Sequence, residues 1–247
     1  MPQFRYSGVV PPEDELHQII EAPAPGKFGD THSIAPTQVP VTITNPGPTR
    51  QILVPQYGPN VTGTAGYNPA KDCGGNFMSS KFQPNNNCYA YGCDFASNSF
   101  AQPGRMHGNL ITASTLNGPS VQEFAEKDGL INVGTTIDQV KAFATKRQAE
   151  KGTAGHFVAL MISLAEKSWS GDYHWARCDD PVNFASWSQK DGGDSVTNFD
   201  FAGNPITDPS KANWAVNQGP QSDKTDMIIE YKFFTFMFVP HGIVSIV

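Results

Sequence analysis

The residues best suited to chemistry lie in the run Asn85-Asn86-Asn87-Cys88-Tyr89-Ala90-Tyr91-Gly92-Cys93-Asp94. A polar cap followed by a cysteine and aromatics predicts a thiol at the first turn of a helix. The backbone N–H groups of that turn have no internal partners, and with the helix dipole they favour a thiolate over a thiol. A thiolate so placed is a nucleophile for acyl transfer. That chemistry also needs a base, a group to orient the base, and donors aimed at the developing oxyanion. His156 is the candidate base, at the start of the apolar run His156-Phe157-Val158-Ala159-Leu160-Met161-Ile162. It is far from Cys88 in the chain, so only the fold could pair them.

Asn87-Cys88 followed by aromatics, and later Gly155-His156-Phe157-Val158-Ala159-Leu160, together resemble the papain-like cysteine peptidase/amidase superfamily, in particular its CHAP and NlpC-type cell-wall branches. The resemblance spans about residues 81–180. It implies an α+β, papain-like fold with N-terminal helices packed on an antiparallel β-sheet. It also implies a polar residue on the strand after the histidine. His174 fits that role, and Asp172, on the same face, is the alternative. The implied oxyanion hole is the Cys88 N–H with an upstream side-chain amide, Gln83 first and Asn86 or Asn87 behind it. The implied activity is amide hydrolysis through a Cys88 thioester, with no cofactor and no metal. The substrate would be a peptide or peptidoglycan-like molecule, and the enzyme a lysin or effector. The alternative is a papain-like structural or binding protein without catalysis.

Several elements must position these residues. Twelve of the 20 prolines fall in residues 1–70, which reads as an extended arm ahead of a main domain at 71–247. A short helix is predicted at Glu13–Ile20, and short strands at Gln38–Thr44 and Arg50–Gln56. The helix of Cys88 should end by Phe100–Arg105, where Pro103 and Gly104 break it. Pro119–Lys127 reads as a helix with Val121, Phe124 and Ala125 on one side. A second begins at Thr136, where Thr136-Ile137-Asp138-Gln139 forms a capping box and Ile137, Val140, Phe143 and Ala144 make an apolar stripe. These helices should share one face of the sheet. In the strand Asp172–Arg177, the period of two puts Asp172 and His174 on one face and Tyr173, Trp175 and Arg177 on the other. Ser186–Gln189 and Val196–Asp200 read as a hairpin about Asp191-Gly192-Gly193. Met227–Val239 is a dense apolar run, and Ile243–Val247 a last strand.

Seventeen basic and 23 acidic residues give a net charge of −6, with no basic run, which argues against nucleic acid as a partner. The N-terminal residues lack the apolar stretch of a signal peptide, and the most apolar region is interrupted by Glu230, Lys232, Pro240 and His241, so no membrane span is expected. The four cysteines, at 73, 88, 93 and 178, match no standard zinc spacing. Cys73 with Cys93 or Cys178 is a candidate disulfide in an oxidising setting, and His156, His174, Cys178 and Asp179 are a weaker candidate metal set.

Overall fold

The computed structural model describes residues 36–63, 75–78, 82–166, 169–220 and 226–247. The predicted helix at Glu13–Ile20 and the thiol of Cys73 lie outside these residues. The chain combines helices with antiparallel sheets. Its centre is a six-stranded antiparallel sheet built from β5 (Ile131–Gly134), β6 (Gly155–Ser163), β7 (Asp172–Cys178), β8 (Trp187–Lys190), β9 (Val196–Thr197) and β12 (Lys232–Pro240), in the spatial order β5-β12-β6-β7-β8-β9. Two-stranded ribbons stand beside it. One pairs β1 (Thr37–Ile43) with β2 (Arg50–Gln56), one pairs β3 (Val61–Thr62) with β4 (Phe95–Ala96), and one pairs β10 (Ala215–Pro220) with β11 (Asp226–Glu230).

In the β1–β2 ribbon, alternation selects Val41, Ile43 and Val54 as the buried side chains, and they form a small core with Leu110 and Val247. The helices are α1 (Gly75–Met78), α2 (Cys88–Gly92), α3 (Gly118–Lys127) and α4 (Ile137–Ala149). Helix α3 is capped by Asn117, whose side chain accepts from Ser120 N–H, with Pro119 in the first turn. Helix α4 carries the expected capping box from Thr136 and Gln139.

The sheet is buried on both faces, and β6, β7 and β12 alternate between two cores. Val158, Leu160, Ile162, Tyr173, Trp175, Met237 and Val239 face the core shared with α2 and α3. Phe157, Ala159, Met161, Ala176, Cys178, Phe236 and Phe238 face a second core with Val140 of α4, Trp187 and Trp214. The helices therefore do not share one face as expected: α4 lies against the opposite side from α2 and α3. Double burial also explains why β6 and the C-terminal half of β12 read as continuous apolar runs and not as alternating ones.

Two further expectations change. The helix of Cys88 has five residues and stops at Gly92, well before Pro103, because Asp94 turns into the left-handed region (φ 52°) and the chain enters β4. The run Met227–Val239 is not one element: it divides at Tyr231 into β11, paired with β10, and β12, paired with β5 and β6. Ile243–Val247 forms no strand, although Ile246 and Val247 are buried.

The candidate thiol site

Cys88 sits where the sequence places it, at the first position of α2 behind a polar cap. The Asn87 side-chain oxygen accepts from Ala90 N–H at 3.0 Å, and its amide nitrogen donates to the Ala101 carbonyl at 2.7 Å. Asn86 is equally committed, donating to the Asn98 side chain (2.9 Å) and to the Phe82 carbonyl (3.1 Å), and accepting from Asn98 N–H (2.9 Å). These amides hold the loop that delivers α2 to the sheet, and neither is turned toward an oxyanion. Replacing Asn87 with alanine is expected to lower stability by about 2 kcal/mol, through loss of the cap and of the acceptor's partner at Ala101, read as a fall in the urea midpoint.

All five residues of α2 are buried, and Cys88 has no accessible surface. Its sulfur lies 4.0 Å from the Tyr173 carbonyl oxygen at the start of β7. His156 belongs to the same face of the sheet but to its far end. Tyr173 pairs with Ile162, and His156 stands six residues back along β6. There it meets the C-terminus of α2, not its N-terminus. Its Nε2 is 2.7 Å from the Gly92 carbonyl oxygen, which can only accept, so Nε2 carries the proton; Nδ1 then accepts from His241 Nε2, 3.1 Å away. Both ring nitrogens are thus engaged. Burial, and then the Arg177 charge, hold this imidazole well below its ordinary pKa.

The two candidates for the third position lie across the sheet from Cys88. His174 is fully buried, its ring packed among Phe201, Trp214 and Tyr231, with Nε2 donating to Gln189 Oε1 at 2.6 Å. Asp172 accepts from its neighbour Tyr173 N–H at 2.8 Å and from the Tyr231 hydroxyl at 2.9 Å. The strand alternation read from the sequence is right, and it is what separates them from the thiol. Gln83 is tied elsewhere as well: with its amide turned to the orientation that satisfies both atoms, its nitrogen donates to the Met78 carbonyl (3.0 Å) and its oxygen accepts from Ser195 N–H (3.1 Å). The structure therefore does not bring Cys88, His156, His174, Asp172 and Gln83 together.

The other two thiols among the described residues are buried as well, Cys178 at the edge of a pocket. Cys93 and Cys178, the expected partners for Cys73, are both buried thiols, and burial raises the pKa of each, that of Cys178 to about 12. Among the described residues no three His, Cys, Asp or Glu side chains converge as metal ligands, and no helix is long and apolar enough to cross a membrane.

Sequence reasoning missed a set of buried charged groups that carry internal bonds. Arg177 pairs with Asp94 at 3.3 Å and lies 5.5 Å from the Tyr91 ring centroid. Asp128, pushed up to about pKa 7 by burial, accepts from the Tyr89 hydroxyl and from Gly104 N–H, both at 2.7 Å. Lys190, lowered to about 7 by burial, donates to the carbonyls of Gln83 (2.7 Å) and Gly192 (2.9 Å). Each replaces lost hydration with fixed partners, as a buried charge must. Of these only Arg177 has sequence neighbours that mark its face as interior, Tyr173 and Trp175 of the same strand.

No protein-family description and no solved structure matches the chain. It is similar to insoluble matrix shell protein 1 of Ruditapes philippinarum, with 34% identity over 142 residues, covering 57% of this chain and 76% of that protein.

Proposed function

The chain belongs to the family of insoluble matrix shell protein 1, and from that premise we propose that it is a structural component of an insoluble matrix and not a cysteine amidohydrolase. The observation that carries this reading is the sealed thiol: Cys88 has no accessible surface, and the candidate base His156 has both ring nitrogens engaged at the other end of α2. A thioester mechanism needs a carbonyl carbon within reach of the sulfur and an imidazole within hydrogen-bond distance of it. Neither is met here, since Cys88 is fully buried and the His156 ring is bonded to Gly92 and His241.

In this reading the resemblance to papain-like enzymes is one of outline. A short helix opening on a thiol lies across an antiparallel sheet in whose order a Gly-His strand follows, and the side chains that would catalyse in that superfamily here make internal bonds. The name of the related protein supports a matrix role, and the two tightly packed cores on either side of one sheet suit a domain that must persist.

The test has a chemical and a biological arm. In the folded protein, iodoacetamide should label Cys88 no faster than global unfolding exposes it, and peptidoglycan and peptide amides should remain uncleaved. An antibody to the protein should find it in the fraction of the source tissue that resists chelator and detergent extraction. Rapid Cys88 labelling that slows in His156→Ala, with cleavage of an amide substrate, would restore the hydrolase; full recovery in the soluble extract would remove the matrix role.

A further inference from the structure

On the face of the sheet away from Cys88, a pocket of about 480 Å³ opens between the C-terminal end of α4, the start of β6 and the end of β7. Its apolar lining comes from Ala144, Phe157, Pro181 and Phe238, with the Cys178 thiol beside them. The Phe157 and Phe238 rings meet edge to face, 5.2 Å between centroids. Its charged lining is of one sign. Arg147 and Lys151 contribute, and no Asp or Glu does, on a chain whose net charge is −6.

Arg147 is the decisive residue. Its guanidinium carbon lies 5.0 Å from the Phe238 ring centroid, and one terminal nitrogen donates to the Thr153 carbonyl at 2.9 Å. Its Nε is buried without a hydrogen-bond partner among the described residues. Neighbouring Lys146 reaches the carboxylate of Glu150, whereas Arg147 bonds to no carboxylate among those residues. A guanidinium beside aromatic rings, with donor capacity left over, is the standard recognition element for a planar anion. A pocket of this size, apolar with a few convergent polar groups, has the character of a small-molecule site.

We propose that this pocket binds a small aromatic monocarboxylate, with the ring against Phe157, Phe238, Ala144 and Pro181 and the carboxylate on Arg147, and with Lys151 adding positive charge. Cys178 presents a protonated thiol there, since burial raises its pKa, and so does not repel the anion. The site makes no use of Cys88 and lies outside the matrix role proposed above.

Calorimetric titration of the full chain at neutral pH and low salt, with 1-naphthaleneacetate as the probe, tests this. One saturable site is expected, with the uncharged 1-naphthaleneacetamide bound about ten-fold more weakly, the effect of one charge-assisted contact. Arg147→Gln should remove the preference for the acid over the amide, and Ala144→Trp, which fills the pocket, should abolish binding of both. Lys151→Gln, at an exposed position that does not hold the fold, should weaken the acid about two- to three-fold and leave the amide unchanged. Absence of saturable binding at millimolar probe, equal affinity for acid and amide, or undiminished binding by Ala144→Trp would each overturn the proposal.

Discussion

Trp175→Ala is expected to lower the unfolding free energy by about 4 kcal/mol, the middle of the range for deleting a large buried aromatic. Trp175 is fully buried in the middle of β7, opposite Leu160 of β6, and is the platform on which α2 rests. The Tyr89 ring lies 5.2 Å from it, and α2 approaches so closely that a Cβ on Gly92 would sit 3.4 Å from the Trp175 Cβ. Removing the indole leaves a cavity between helix and sheet that neither can close, because α2 is also held by its cap at Asn87. Trp175→Phe separates shape from polarity. The indole nitrogen has no hydrogen-bond partner among the described residues, so the phenyl variant loses area but also removes a buried unsatisfied donor, and should cost about 1–2 kcal/mol. Urea unfolding followed by fluorescence and circular dichroism reads both. A loss under about 1.5 kcal/mol for Trp175→Ala would mean that α2 is not docked on β7 in solution.

Acid is expected to destabilise the protein through His174. The orientation of the Gln189 amide is fixed by its own donation to the Phe199 carbonyl at 2.9 Å, so its oxygen faces His174 and His174 Nε2 carries the proton. The other ring nitrogen, Nδ1, is buried without a hydrogen-bond partner among the described residues, and a second proton there would place a charge in an aromatic cluster. Burial accordingly lowers the His174 pKa from 6.5 to about 4. Between these values the unfolded chain binds more protons than the folded one, so stability falls as pH drops through 6.5 toward 4. The full contribution, roughly 3 kcal/mol, is lost below that window. Asp128 and Asp191, raised to about 7 and about 6 mainly by burial, act with the opposite sign. The measurement is therefore a difference: ΔG of unfolding against pH for the wild type and for His174→Phe, which keeps the ring and removes the titration. The variant should be about 1–2 kcal/mol less stable at pH 7, where the Gln189 oxygen loses its donor. Its curve should converge on or cross the wild type by pH 4. Parallel curves across the window would show that His174 does not titrate on unfolding.

Much of the fold was legible because its signals are local. Asn117, Thr136 and Gln139 specify helix starts by hydrogen bonds that span three residues. Alternation in β1 and β2 likewise names the buried side chains of each strand, and in β7 it sorts side chains between two faces that are both buried, without reference to any other element. The polar cap before Cys88 was read correctly for the same reason. The end of that helix was not: Pro103 and Gly104 are strong breakers, but a left-handed turn at Asp94 acts first, and only the pairing of β4 with β3 shows why the chain turns there. The buried charges Asp128 and Lys190 were equally hidden, since a charged side chain reads as surface until its partners are known.

Local signals alone place Cys88 at the start of a capped helix, His156 at the start of a strand, and His174 with Asp172 on one face of the next strand. Each of these follows from capping or from a period of two over a few residues. That they do not meet is set by long-range packing. Which end of α2 faces the His156 end of β6, and which side of the sheet each helix covers, depend on packing between elements remote in the chain. A strand buried on both faces gives no sign, in its own composition, of which face will receive the thiol.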